Sequence, residues 1–573
     1  MIILCMKMGL LLISAFGYWE YFRSKWGIQA CFSPVFTISV QFSVLLAAGL
    51  LNCLGEAALL LHGIGIALFA WAVYKQKLRV FLPYLNVGYL FFGLAFCLVG
   101  LTVRDQQFTQ IDNFTHWATV VRNMLSTDRF PTFRETAIEF TTYPLGSSAM
   151  IYFFCKLAGE GEDIQMLAQA YCMLSALLPV FAFCQKNKGA FFALVTVMTG
   201  FLLHYNIPVT ELLVDTLMPL SGMAAVFFVC FHYRDQDHEP GPSMYCVIPL
   251  LIWAMNIKHA ALIFSVFALV LLYLCVRKRK QGRKQWLLSA GAVFLARILW
   301  SRHCDYVFEG ADTSKHSMSL GWFQSVLGDK SQEGILDTAK MVLEHLTTRT
   351  EILWLGAWIL LLGLLVWFWI PEEKKRYLTF LIGGISLYAV YAIGIMGMYV
   401  FSMEDYGQLL AFTRYMRSID IALYYMLTVL SGLILTRLIK TQWVLLLSAV
   451  LIVLTAAGWH WQTGKYLKEK LACCPVEWRQ ELEQPIADYG IEPGKRCLLL
   501  VNENHHGWPR RIWRYRLETG AVDQQIVTDP AQLENAGAYD YVVILDTENP
   551  VVEAWVQENY PDAAGSSVIV HDA

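Results

Sequence analysis

The sequence is short of charge. Only 16% of its 573 residues are Asp, Glu, Lys or Arg, against about a quarter in an ordinary soluble domain, so a water-exposed surface cannot be made for most of the chain. Neither sign dominates: Lys and Arg number 44, Asp and Glu 46, and the formal net charge is -2. A basic face of the kind nucleic acid requires is missing, which excludes that class of partner. The 14 cysteines are scattered, mostly inside apolar runs, with no CxxC pair and no His/Cys cluster at zinc spacing; they read as small buried hydrophobes. Internal repeats and low-complexity segments are also lacking. The first apolar run, 2–18, has neither a basic n-region nor an A-x-A cleavage site, so it reads as a retained span.

What is present is hydrophobic length. Apolar runs near the roughly 20 residues needed to cross a hydrocarbon core recur from the start to Trp461. They are continuous, without the alternation of a barrel strand, so helices are the expected spanning elements. Lys and Arg concentrate in short loops, as at Arg277 to Lys284, while loops such as 55–56 and 208–214 have none; the basic loops are placed in the cytoplasm. The resulting fold class is an all-α polytopic membrane bundle of roughly fourteen transmembrane helices with a small C-terminal α/β domain. The spans fall near 2–18, 36–54, 56–74, 80–101, 164–184, 189–206, 216–232, 244–256, 260–276, 285–300, 351–371, 377–400, 412–436 and 442–460. Residues 1–460 form the transmembrane domain and 461–573 the extracytoplasmic one, with outer loops at 102–142 and 301–350. CLLLV (497–501) and YVVIL (541–545) read as buried parallel strands and 550–559 as an amphipathic helix.

Several residues stand out on the outer side. In 111–133, Phe114, Trp117, Val121 and Met124 recur at helical spacing, which predicts a helix lying on the membrane surface, and Asp112 and His116, four apart, share a face. YPLGSSAMIYFF (143–154) reads as a partly embedded helix started by Pro144. Glu211 and Asp215 repeat the four-residue acidic spacing in the next uncharged loop, where Asp215 is either a helix cap or a functional carboxylate. Lys258 interrupts an apolar stretch at an outer turn; an ionisable residue at that depth is a functional candidate, with snorkelling as the bland alternative. Arg414 and Tyr415 open a span as phosphate ligands or as an interfacial anchor. His303 and His316 lie in a long loop that either folds over a site or merely connects.

An acidic residue in the first large outer loop, then HW, an FPT turn, a YPxG helix, a second Asp at an outer helix start and a Lys between two short helices resemble the GT-C glycosyltransferases. That superfamily includes the protein O-mannosyltransferases and the aminoarabinose transferases of lipid A. The similarity covers roughly residues 80–300, with Trp300 and the Arg414–Tyr415 pair beyond. It implies an inverting sugar transfer from a polyprenyl-phosphate donor to a glycan, lipid or protein acceptor on the outer face of a bacterial plasma membrane, in cell-surface polysaccharide, cell-wall or protein glycosylation. Asp112 and Asp215 would correspond to the family's first- and second-loop acids and meet in one cavity, with Asp112 as base and His116 orienting it or binding acceptor. Lys258 and Arg414 would meet the leaving phosphate; Glu211, Tyr415, Tyr143, His303 and His316 complete the expected substrate-binding set. Where many members pair acids in the first loop, Asp112 is followed by Asn113, so a divalent cation held by Asp112 and Asp215 stays an open expectation. Two other readings compete: a polysaccharide polymerase or ligase built on arginines and a histidine, and a lipid or sugar transporter, which would place its charges at the midplane of paired halves.

Overall fold

The structure, a computed structural model, describes residues 2–183, 189, 191–196, 198, 209–233, 242–279, 281–309, 320–403, 409–438, 474–545 and 548–571. They fall into two compact units. The first comprises Met1–Gln106, Thr142–Asp305 and Lys315–Lys468; the second comprises Gln107–Thr141, Tyr306–Ser314 and Glu469–Ala573.

The first unit is helical. Among the described residues, seven helical segments are long and apolar enough to cross a membrane: Ala30–Leu50, Leu54–Tyr84, Glu162–Phe183, His259–Val276, Thr350–Trp369, Pro371–Phe401 and Phe412–Leu435. Val87–Val103, Leu217–Tyr233 and Met244–Met255 are shorter apolar helices, and Gly282–Val307 covers the span expected at 285–300. The most apolar stretch of Glu162–Phe183 is 89% buried, whereas that of Thr350–Trp369 is 17% buried. A helix that exposes Trp354, Phe368 and Trp369 on its outer side needs lipid, not water, around it. Lys374 sits over the Trp367 ring where that helix ends, an aromatic and basic pairing suited to the headgroup level. The chain is an integral, multi-pass membrane protein.

The break expected within 243–276 is present at Asn256 to Lys258, between Met244–Met255, which is shorter than a membrane-length helix, and His259–Val276. Two other expectations need correction. The helix after YPLG begins at Ser148, not at Pro144, because Gly146 and Ser147 are held in a turn by contacts described below. The described part of 301–350 is not an open loop: Leu320–Asp329 and Gln332–Thr347 are helices, the second capped by the Ser331 hydroxyl, which accepts from the Gly334 N–H. The spans expected at 189–206 and 442–460 lie mostly or wholly outside the described residues.

The second unit is the α/β fold expected of the tail. Strands β1 (Cys497–Val501), β2 (Val522–Ile526), β3 (Tyr541–Ile544) and β4 (Val568–Val570) form one sheet in the order β2-β1-β3-β4. β1 pairs in parallel with β2 and β3, and β4 closes the edge antiparallel to β3. Alternate residues of β1 serve opposite faces. Leu498 and Leu500 pack with Val542, Val552 and Val556 under helix Pro550–Asn559; Cys497 and Leu499 pack with Trp513, Leu517 and Val522 under helix Trp508–Leu517. A strand covered on both faces is apolar throughout, which is why CLLLV was readable.

Gln107–Thr141 is part of this unit. Its apolar stripe, expected to lie on a membrane, is instead buried in protein: Phe114 packs edge-on against Trp508 and Tyr515, and Trp117, Val121 and Met124 are buried with it. Hydrophobic spacing states that a face needs an apolar partner and does not say whether that partner is lipid or another helix.

Candidate functional site

In the first unit, a chain of hydrogen bonds fixes the loop that carries the acidic pair. The Ser147 hydroxyl donates to Gln169 Oε1 at 3.0 Å, and the Gln169 amide donates to the carbonyls of Glu211 at 3.0 Å and Leu213 at 3.3 Å. A parallel tie holds the lysine turn. Gly146 N–H donates to the Asn256 carbonyl at 2.6 Å, and the Trp253 indole donates to the Gly146 carbonyl at 3.0 Å. Any Cβ at Gly146 would lie 2.5 Å from the Asn256 oxygen, so the YPLG turn can approach this closely only with glycine there. Apolar helices packed on one another leave few places for irregular backbone, and here two such turns are braced against each other.

The result brings four of the expected residues together. Asp215, with a side chain only 2% exposed, faces Lys258 Nζ at 2.7 Å through Oδ1 and Arg414 Nε at 3.7 Å through Oδ2. Lys258 Nζ also lies 4.8 Å from the Tyr415 ring centroid and the Arg414 guanidinium 5.3 Å from it. The Ser418 hydroxyl donates to the Asp215 carbonyl at 2.9 Å, and the Tyr391 hydroxyl to the Tyr415 carbonyl at 3.0 Å, so both ends of the cluster are pinned. Burial alone would raise the Asp215 pKa, but the Lys258 and Arg414 charges outweigh it and hold the carboxyl below the usual range. Among the described residues the cluster sets one carboxylate against two cations. Beside it lies a cavity of about 70 Å³ whose walls include Tyr143, Asp215, Lys258, His259, Tyr391 and Tyr415, room for a few waters or one small polar group.

The other expected residues are placed differently. Glu211 is buried in the same loop but is not a wall of this cavity, and neither is His303, whose ring tilts against Trp300 at 5.8 Å. His316 lies outside the described residues. Asp112 and His116 belong to the second unit. There Asp112 is half-buried and precedes a π-helical turn, Asn113–Trp117, and its N–H donates to Gln110 Oε1 at 2.6 Å. His116 is buried edge-on between Trp117 at 4.7 Å and Phe140 at 5.8 Å. A π turn is rare and recurs at functional positions.

The donor set does not favour a metal at Asp215: both carboxylate oxygens already face cations, and a divalent ion would have to displace an ammonium and a guanidinium. Among the described residues, no group of three or more His, Cys, Asp or Glu side chains is gathered for metal binding.

Sequence reading missed two polar pairs, one part-buried and one buried. Arg297 on helix Gly282–Val307 bonds to His259 Nδ1, and Arg349 bonds to Asp420. Each is an ionisable residue set among apolar neighbours, the signal already used for Lys258, and that same signal was available for them.

No family model and no curated protein matches the chain. Two solved structures are similar to it: ArnT from Cupriavidus metallidurans bound to undecaprenyl phosphate and the same protein in the apo state. Each is 12% identical over 82% of this chain and 94% of that chain, with TM-scores of 0.42 and 0.44. Similarity at that level carries neither fold nor function, and the chemistry has to be read from this chain's own side chains.

Proposed function

We propose that this chain is a membrane glycosyltransferase of the GT-C type, moving a sugar from a polyprenyl-phosphate carrier to an acceptor on the outer face of the membrane with inversion. The observation that supports this most is the cluster of Asp215, Lys258, Arg414 and Tyr415 beside a small cavity. Two cations brought together in a poorly hydrated place suit a group that gains negative charge during reaction. A phosphate ester is such a leaving group, and its long apolar tail requires an enzyme that sits in lipid.

In this reading the acceptor hydroxyl oxygen attacks the anomeric carbon and the bond from that carbon to the phosphate oxygen breaks. The electron pair stays on the phosphate, where Lys258 and Arg414 meet it, and the hydroxyl proton passes to a carboxylate, for which Asp112 is the proposed base. Asp215 holds the two cations in position; Tyr143 and Tyr415 wall the place where the sugar phosphate would sit. Glycan, lipid and protein remain the acceptor classes.

The test uses the purified protein in lipid nanodiscs, incubated with a panel of polyprenyl-phosphate sugars and followed for donor consumption. The wild type should consume at least one donor, and Lys258→Ala should lower that rate by about a hundredfold or more. A wild type that consumes none of them ends the transferase reading in favour of transport.

A further inference from the structure

Helices Ile2–Trp26 and Leu54–Gln76 and the short helix Lys77–Tyr84 meet at an edge of the first unit that the mechanism above does not use. Glu20 is fully buried there and accepts from Arg23 Nε and Nη2 at 2.7 Å each, from Gln76 Nε2 at 2.7 Å and from the Tyr84 hydroxyl at 3.1 Å. Three elements converge on one carboxylate, which brings Lys25, Lys75, Lys77 and Arg79, all exposed, to the same edge. Lys25 Nζ lies 5.4 Å from the Trp71 ring centroid and Lys75 Nζ 5.9 Å from that of Tyr74. None of these four cations has an acidic partner among the described residues: Glu20 is taken up by Arg23, and residues 21–55 and 57–104 hold no Asp or Glu. Glu56 opens the helix at whose far end Lys75 stands, roughly 30 Å away. Lys77, at a positive φ of 51°, makes the turn that takes the short helix off the preceding one. In that short helix Val80 and Tyr84 are buried and the Phe81 ring packs 5.2 Å from that of Phe16, whereas Leu78, Leu82 and, just beyond it, Leu85 are 81%, 62% and 76% exposed. Trp26, Trp71 and Tyr74 are exposed beside them, an aromatic belt suited to the boundary between headgroups and acyl chains. Setting topology asks only for positive charge; it does not call for leucines laid bare among the cations.

We propose that this edge is a binding site for an anionic glycerophospholipid of the adjoining leaflet, with the phosphate against Lys75, Lys77 and Arg79 and the acyl chains against Leu78, Leu82 and Leu85. Charge complementarity names the headgroup. Cations without an acid among them draw a phosphodiester and repel the ammonium of a choline headgroup, so an anionic lipid is preferred to a zwitterionic one. The leucines name the lipid over a soluble phosphate, because only a lipid brings apolar chains to cover them. The cations divide the contact: the Arg79 fork can take two phosphate oxygens at once, and the lysines act as point charges on either side. None of these residues walls the cavity beside Asp215, so the inference stands apart from the transferase reading.

The experiment counts the lipids retained by the full chain in native mass spectrometry, from micelles containing dioleoylphosphatidylglycerol or dioleoylphosphatidylcholine, with glycerol phosphate as a soluble competitor. Wild type should hold one phosphatidylglycerol about a hundredfold more tightly than phosphatidylcholine, and the preference should shrink as salt is raised. Lys75→Gln/Lys77→Gln/Arg79→Gln should abolish that preference and leave phosphatidylcholine retention unchanged. Lys278→Gln/Arg283→Gln/Lys284→Gln, which removes the same charge from another exposed basic loop, should leave the preference intact. Leu78→Ser/Leu82→Ser should weaken retention of the lipid. Melting of each variant without added lipid is followed alongside, and Lys75→Gln/Arg79→Gln, with an expected loss of about twentyfold, replaces the triple variant if that does not fold. A wild type without the preference overturns the inference, as does equal preference in wild type and the triple variant. An equal loss in the Lys278, Arg283 and Lys284 variant overturns it as well, since net charge alone would then be read. So does glycerol phosphate that displaces the lipid at matched concentration, or a Leu78→Ser/Leu82→Ser protein that retains lipid like wild type, since the headgroup alone would then be bound. All of these outcomes leave the transferase reading standing.

Discussion

Asp215 and Asp112 look alike in sequence, each an acidic residue at the start of an apolar helix with a second polar residue four positions away, and the structure treats them in opposite ways. Asp215 is nearly inaccessible and matched by two cations from distant parts of the chain, Lys258 and Arg414. Asp112 is half-buried, in a unit built from a loop and the C-terminal tail, beside a widened helical turn. Under the proposed function the difference corresponds to two jobs. A carboxylate that organises cations must be buried and satisfied, and removing it injures the fold. A carboxylate that takes a proton from a substrate must stay accessible, and removing it should injure the reaction alone.

Substitution tests that separation directly. Asp215→Ala leaves two cations facing each other across a vacated, buried place, which costs about 3–5 kcal/mol of stability; thermal melting in detergent should show a large loss together with loss of donor consumption. Asp112→Ala should reduce turnover by about 10²–10⁴-fold while melting stays near wild type, within about 0.5 kcal/mol. A variant that melts early would place Asp112 with Asp215 as a structural carboxylate. In the second unit the counterpart of the buried cluster is Arg479, 1% exposed, which bonds Glu483 and the Phe108 carbonyl at 2.9 Å each and lies 5.0 Å from the Phe114 ring. Arg479→Met leaves those acceptors unmet and should cost about 2–4 kcal/mol, read as faster hydrogen exchange throughout 107–141.

Acid gives a milder probe of the first site. The two cations depress the folded-state pKa of Asp215, so the stability they confer is complete above the unfolded carboxyl value of about 3.9 and is lost as pH falls through the lower folded value. Melting should be flat from roughly pH 8 to 5 and decline below about pH 4, with a smaller decline in Asp215→Asn. The weakest expected effect is at Arg122, whose partly exposed pair with Glu518 at 3.0 Å contributes about 1 kcal/mol or less; Arg122→Met should hardly move the melting curve, and a large shift would mean the surface of the second unit carries more than its exposure suggests.

How far the sequence could be read follows from which interactions are local. Spans and buried strands announce themselves within a window of their own residues, so the helix bundle, the break at Asn256 to Lys258, CLLLV and YVVIL were legible. β2 (VDQQI) was not, because an edge strand with one polar face lacks the apolar run that betrays a central one. Lys258 could be singled out by charge at depth, but its partner Asp215 stands 43 residues away and Arg349 is 71 residues from Asp420; no window spans such a pair. The stripe of Phe114 to Met124 was legible as a buried face and illegible as to what buries it. Arg297 was passed over because a single cation late in an otherwise ordinary span looks like a helix end, and the ring it anchors lies on a different helix.

The second unit also sets a schedule. Phe108 accepts its hydrogen bond from a residue 371 positions later, and at 5–20 residues per second synthesis needs roughly 20–70 s to reach that point. For that interval Phe114 lacks the Trp508 and Tyr515 rings that pack on it in the finished fold. Synthesis of this protein therefore includes a waiting period with that apolar face uncovered, and truncation before the tail would leave it bare.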